Sequence, residues 1–222
     1  DAGGNLVTGA TNSITLAILA NPGGGTLSGT ITVAAVNGEA TFSNISIDKA
    51  GTGYTLVASS GVLTAATSAS FNITVGAAAQ LAFTTQPGNG TGGSNLATQP
   101  VVTVQDAGGN TVTTATDSIT LAIGTNPSGG TLTVTTNPLA ATAGVAAFAG
   151  VKIDKAGTGY TLTASATGLT GVSSASFNIT VGSASKLAYS VQPANATATV
   201  AISPAIKVQV QDAGGNLVST AT

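Results

Sequence analysis

Apolar and polar residues alternate in short runs along most of the chain, the period of a strand with one buried face and one wet face. Ile119, Leu121 and Ile123 share one parity, and so do Phe177, Ile179 and Val181. Ile206, Val208 and Val210 alternate with Lys207, Gln209 and Gln211. Few segments offer a helical period. The pattern predicts strands over residues 80–85, 101–105, 118–123, 131–135, 145–153, 160–165 and 174–181. Their predicted core is Leu81, Phe83, Val102, Val104, Ile119, Leu121, Ile123, Leu132, Phe148, Ile153, Tyr160, Leu162, Phe177, Ile179 and Val181. Inward parity shifts between Phe148 and Val151, and likewise between Phe42 and Ile45, which predicts a bulge or a strand that changes sheets. Asp106-Ala-Gly-Gly-Asn110 reads as a hairpin turn and Asn126-Pro-Ser-Gly-Gly130 as a surface loop.

These elements recur. Asp1-Ala-Gly-Gly-Asn5 returns at 106–110 and at 212–216, at spacings of 105 and 106 residues. Phe71-Asn-Ile-Thr-Val-Gly76 returns at 177–182, and Leu81-Ala-Phe83 answers Leu187-Ala-Tyr189. That period is too long for a solenoid unit and matches one immunoglobulin-like sandwich of about 100 residues and about seven strands. The expected division is a partial domain over 1–76 that lacks its first two strands, a complete domain over 77–182, and the first two strands of a further domain over 183–222. Short joints at 76–80 and 182–186 predict sandwiches stacked end to end. The duplicated turn favours a window on a longer tandem array over a complete subunit. Either way the incomplete ends are expected to be filled by neighbouring segments, in a head-to-tail fibre.

A longer stretch is also repeated letter for letter: Asp48-Lys-Ala-Gly-Thr-Gly-Tyr-Thr-Leu56 and 154–162. The glycines allow a tight path into a strand that opens with Tyr54 or Tyr160. This resembles the tyrosine corner of immunoglobulin-like sandwiches, whose buried ring ties its hydroxyl to the upstream backbone.

Composition narrows the chemistry. Only 5% of residues are charged, the net charge is −2, and Arg, His, Cys, Met and Trp are absent. No clustered cations exist to bind nucleic acid or anionic membranes. The longest apolar run, Leu16 to Ala20, is far too short to span a bilayer. Absent His and Cys and sparse carboxylates argue against an enzyme, so no catalytic residue is assigned. Asp106 and Asn110 offer too few oxygens for calcium, so neither a metal nor a cofactor is expected. An isopeptide bond from Lys49 or Lys155 to Asn72 or Asn178 is conceivable by residue type, but outward asparagines read as solvated side chains. Asn44, Asn72, Asn89, Asn178 and Asn195 open Asn-x-Ser/Thr triplets and are candidate glycan sites. A nearly neutral surface also favours lateral association or a sugar coat.

A Val-rich strand, Asp-Ala-Gly-Gly-Asn, an Ile-Thr-Leu strand, Asp-Lys-Ala-Gly-Thr-Gly-Tyr-Thr-Leu and Phe-Asn-Ile-Thr-Val follow in that order. The order resembles the bacterial immunoglobulin-like (Big) repeats of invasin- and intimin-type surface proteins, over essentially the whole chain. The resemblance implies tandem all-β sandwiches on a bacterial cell surface, used as stalks, spacers and filament bodies. Its expected partners are copies of itself or adjacent repeats. The rival expectation, an adhesin or carbohydrate-binding module, needs an exposed aromatic platform or a charge cluster. The Tyr and Phe residues fall almost entirely on inward parities.

Overall fold

Thr, Val and Ile suit a pleated, half-buried surface, and Gly-rich loops cut the strands short. The result is an all-β protein. The computed structural model describes residues 1–61 and 63–219, so Val62 and the last three residues of the 183–222 segment lie outside the described residues. The chain divides into two compact units: Asp1–Ala78 with Gln105–Val112, and Ala79–Val104 with Thr113–Thr222. Residues 105–112 therefore belong to unit 1, although their chain neighbours on both sides belong to unit 2, and the boundary falls at the last residue of a strand otherwise in unit 2.

Unit 1 contains β1 (Ser13–Ala20), β2 (Leu27–Ser28), β3 (Thr32–Ala34), β4 (Ser46–Ile47), β5 (Gly51–Ser59), β6 (Ala66–Thr67) and β7 (Phe71–Ile73). The main sheet runs β3-β1-β5-β6, with β7 also paired to β5, and β2 pairs β4. Its apolar face is only partly covered: Ile14, Leu16, Leu56, Phe71 and Ile73 are half-buried.

Unit 2 contains β8 (Gln80–Thr85), β9 (Gly90–Thr91), β10 (Val101–Gln105), β11 (Ser118–Ile123), β12 (Leu132–Thr133), β13 (Leu139–Ala140), β14 (Val145–Ala147), β15 (Lys152–Ile153), β16 (Gly157–Tyr160), β17 (Leu162–Ser165), β18 (Val172–Ser173), β19 (Phe177–Thr180), β20 (Lys186–Val191) and β21 (Lys207–Gln211). One sheet is β14-β10-β8 and another is β13-β11-β17-β18. Leu81, Val102, Val104, Ala146 and Phe148 from the first side and Ile119, Leu121, Leu162 and Ala164 from the second are all buried. This is a β-sandwich with an apolar core. β16-β19-β9 form a further sheet, with β9 parallel to β19, and β20-β21 stand as a separate pair.

The parity shift has a physical cause. β14 pairs β10, whereas β15, a few residues on, pairs β12. The chain changes sheets between them, so Phe148 and Val151 both point inward and both are buried. The expected strand 160–165 is likewise shared: β16 pairs β19 and β17 pairs β11.

Four core expectations differ. Phe83, Ile123 and Leu132 are only half-buried. Val181 is 46% exposed, because β19 ends at Thr180 and the chain then leaves the sheet. Tyr189 is 56% exposed, and Leu187 beside it 71%, since no second sheet covers β20 and β21 among the described residues. The 106–110 turn is a hairpin for one bridged pair only, Gln105 with Thr111, before the chain enters a different sheet at β11.

Candidate functional site

The chemistry concentrates where two repeated motifs meet. The first is the corner. Gly53 and Gly159 adopt φ of 90° and 86°, a region that other L-residues resist. Each sits just before a Tyr whose ring is fully buried. The Tyr54 hydroxyl donates to the Lys49 carbonyl at 2.8 Å, and the Tyr160 hydroxyl to the Lys155 carbonyl at 2.9 Å. A buried hydroxyl needs such a partner, and here it pins the chain five residues upstream. Phe71 and Phe177 stack on the two rings at centroid distances of 6.1 and 6.2 Å.

The second motif is the Asp-Ala-Gly-Gly-Asn turn. Asp106 Oδ1 accepts the backbone N–H of Gly108 and of Asn110, each at 2.9 Å. Asp1 Oδ1 accepts from Gly3 and Asn5 in the same way, at 2.9 and 3.0 Å, although that copy is wholly exposed. The turn thus forms from its own residues and needs no partner.

In unit 1 the 106–110 turn is bonded to the corner. Asn110 Nδ2 donates to the Asp48 carbonyl at 2.8 Å, and Asn110 Oδ1 accepts from the Ala50 N–H at 3.0 Å. Lys49 Nζ donates to the Gly108 carbonyl at 2.7 Å, and the Gly76 N–H to Asp106 Oδ2 at 2.8 Å. Unit 2 repeats every bond. Asn216 bridges the Asp154 carbonyl and the Ala156 N–H at 2.8 and 2.9 Å. Lys155 Nζ reaches the Gly214 carbonyl at 3.3 Å, and the Gly182 N–H reaches Asp212 Oδ2 at 2.8 Å. Gly108 and Gly214 carry a steric requirement: a Cβ there would run into the carbonyl oxygens of Asp48 and Asp154.

The carboxylates are buried: Asp106 is 5% exposed and Asp212 fully buried. Burial pushes both carboxyls up. The N–H groups of Asn110 and Gly76, the Asn110 amide and the Gly108 N–H outweigh it and hold Asp106 below the usual carboxylate range. Gly182, Asn216 and Gly214 do the same for Asp212. At the corner, the Thr26 N–H, 2.6 Å from Asp48 Oδ1, lowers Asp48.

Asn72 and Asn178 use Oδ1 to accept from the N–H of Gly53 and Gly159, each at 3.0 Å, and are exposed. Lys49 and Lys155 point instead at the turn carbonyls, so the structure does not bring either Lys–Asn pair together. Asn44, Asn89 and Asn195 are also exposed. Asn44 Oδ1 accepts from Thr30 N–H, and Asn89 Oδ1 from Asn178 N–H. Among the described residues no three carboxylates gather as a metal site. Sequence reading found both motifs and missed that they bind each other. The available signal was their joint, letter-for-letter repetition.

No family model and no curated protein matches the chain. Among solved structures, domains 4–9 of the surface layer protein SbsC align over 97% of this chain with 19% identity and a TM-score of 0.36. Domains 4 and 5 of the S-layer protein SbsC align over 80% with 16% identity and a TM-score of 0.35. The chain spans 30% of the length of the first and 74% of the second, and at such TM-scores neither likeness bears on fold or function.

Proposed function

We propose that this chain is a non-enzymatic structural protein of the bacterial cell surface, part of a filament shaft or stalk built from tandem immunoglobulin-like repeats. The observation that carries the reading is the clamp. Each Asp-Ala-Gly-Gly-Asn turn after the first is bonded to the sequence repeat before it by the same four bonds both times, three to the corner and one to the glycine that opens the joint. Two of those bonds use both ends of one Asn side chain, so register is set by hydrogen-bond geometry alone. Repeats joined this way need no disulfide, metal or charge network, which agrees with a chain of 5% charged residues and no Cys. Partners are then copies of the same repeat, head to tail. An antibody raised against the chain should decorate intact producing cells without permeabilisation. Signal that appears only after lysis overturns the reading.

The rival, a carbohydrate-binding or adhesive module, has one exposed ring in its favour, Tyr189. That ring occupies the position of the half-buried Phe83 one repeat earlier, so it belongs to a core face. The isolated chain should retain no glycan on an array. Saturable binding that is lost in Tyr189→Ala would favour the module.

A further inference from the structure

We propose that unit 1 carries an acceptor slot for one segment with the chemistry of residues 80–104, within which a short strand runs parallel to β7 and is followed by two adjacent glycines. The proposal deepens the repeat reading above and rests on it.

Unit 2 shows the occupant in place. β9 lies parallel to β19, pairing Gly90 with Ile179 and Thr91 with Thr180. The segment continues with Gly92 N–H donating to the Thr180 carbonyl at 2.9 Å and Gly93 N–H to the Ile153 carbonyl at 3.0 Å. Leu96 N–H then meets the Val151 carbonyl at 2.9 Å. Leu96, Val151, Ile153, Phe177 and Ile179 are all buried as a result.

In unit 1 the same walls stand around a cleft of about 570 Å³. Ile47, Ile73, Thr74, Gly76 and Asp106 line it, at the positions that Ile153, Ile179, Thr180, Gly182 and Asp212 hold in unit 2. Ile47, Phe71 and Ile73 are half-buried where their counterparts are closed off. The slot has a shape requirement. A Cβ on Gly92 would lie 2.7 Å from the Asp154 carbonyl oxygen and 2.8 Å from Asp212 Oδ2. One on Gly93, whose φ is 78°, would lie 2.6 Å from the Gly214 nitrogen. Asp48, Asp106 and Gly108 present the same groups in unit 1. Residues 106 positions further on, in the last segment of this chain, are Ala198 and Thr199. That segment therefore meets the walls with side chains where glycine is required. The slot selects a Gly-Gly segment over the last segment of a second copy.

The experiment places residues 77–105 ahead of Asp1 of the full chain, which continues the repeat in register, and follows amide exchange at residues 45–47 and 72–76. The segment should slow exchange there roughly tenfold or more, as ordering of a local unit does. The same fusion with Gly92→Val and Gly93→Val should lose that protection. Residues 183–211 fused in the same place should protect far less. Unchanged exchange with the native fusion overturns the proposal. Equal protection by residues 183–211 overturns the glycine selection and makes the last segment of a second copy the occupant. Cell-surface labelling does not depend on any of these outcomes, so the slot and the structural role fail separately.

Discussion

Every strand of unit 1 has a counterpart in unit 2, and the units differ in what lies over those strands. Ile119, Leu121, Leu162, Phe177 and Ile179 are at most 3% exposed. Ile14, Leu16, Leu56, Phe71 and Ile73 stand at the same places in unit 1 and are all half-buried. A strand is lost too: β14 pairs with β10, whereas the corresponding residues 39–41 of unit 1 form no strand, only the isolated Val36–Glu39 bridge. The corner escapes the difference. Tyr54 and Tyr160 are both fully buried, with the same hydroxyl bond. The corner is thus a local core that closes on its own loop, and the rest of the sandwich depends on residues 80–104.

Truncating the corner tests that division most severely. Tyr160→Ala should cost about 3 kcal/mol or more in denaturant melts, as large aromatic truncations do, and Tyr54→Ala should cost unit 1 as much. A loss under roughly 1 kcal/mol at either site would remove the corner from the core. Leu162→Ala and Leu56→Ala then separate the units. The first should cost about 2–5 kcal/mol and the second clearly less, because a half-exposed side chain has less transfer free energy to lose. Equal costs would mean that the apolar face of unit 1 is covered in solution.

The clamp comes next. Asn110→Ala leaves the Ala50 N–H and the Asp48 carbonyl without their bonds, and should cost about 1–3 kcal/mol. Asn216→Ala should match it, and amide exchange at Ala50 and Ala156 reads the two sites apart. Acid has the smallest effect near neutrality. Asp106 and Asp212 are held below the usual carboxylate range in the folded state, so below about pH 4 the unfolded chain binds more protons. Their contribution is complete above that pH and falls as pH drops through the lowered folded values. A pH titration of stability should therefore be flat from neutral to about pH 5 and decline in acid, and Asp212→Asn should flatten the decline. A stability loss on raising pH from 5 to 8 would contradict this.

Much of the architecture is legible in the residues because its causes are local. Period-2 alternation needs only neighbouring side chains, so 80–85, 101–105 and 118–123 appear as strands with the bounds read from the pattern. The odd spacing from Phe148 to Val151 marks a sheet change for the same reason: inward parity cannot shift within a single regular strand. Val181 and Tyr189 went the other way, since alternation says which face a residue shares and not whether anything covers that face.

The sequence by itself determined an all-β chain, its repeat and the two motifs that punctuate it, all of which follow from backbone preference and periodicity. Only the tertiary structure decided that the motifs bond to each other. Asn110 lies some sixty residues from Asp48 and Ala50, and no local rule links an amide to a carbonyl at that separation. The tertiary structure also decided which core faces close. Burial depends on the segment that arrives from elsewhere in the chain, and that segment covers unit 2 and leaves an open cleft in unit 1.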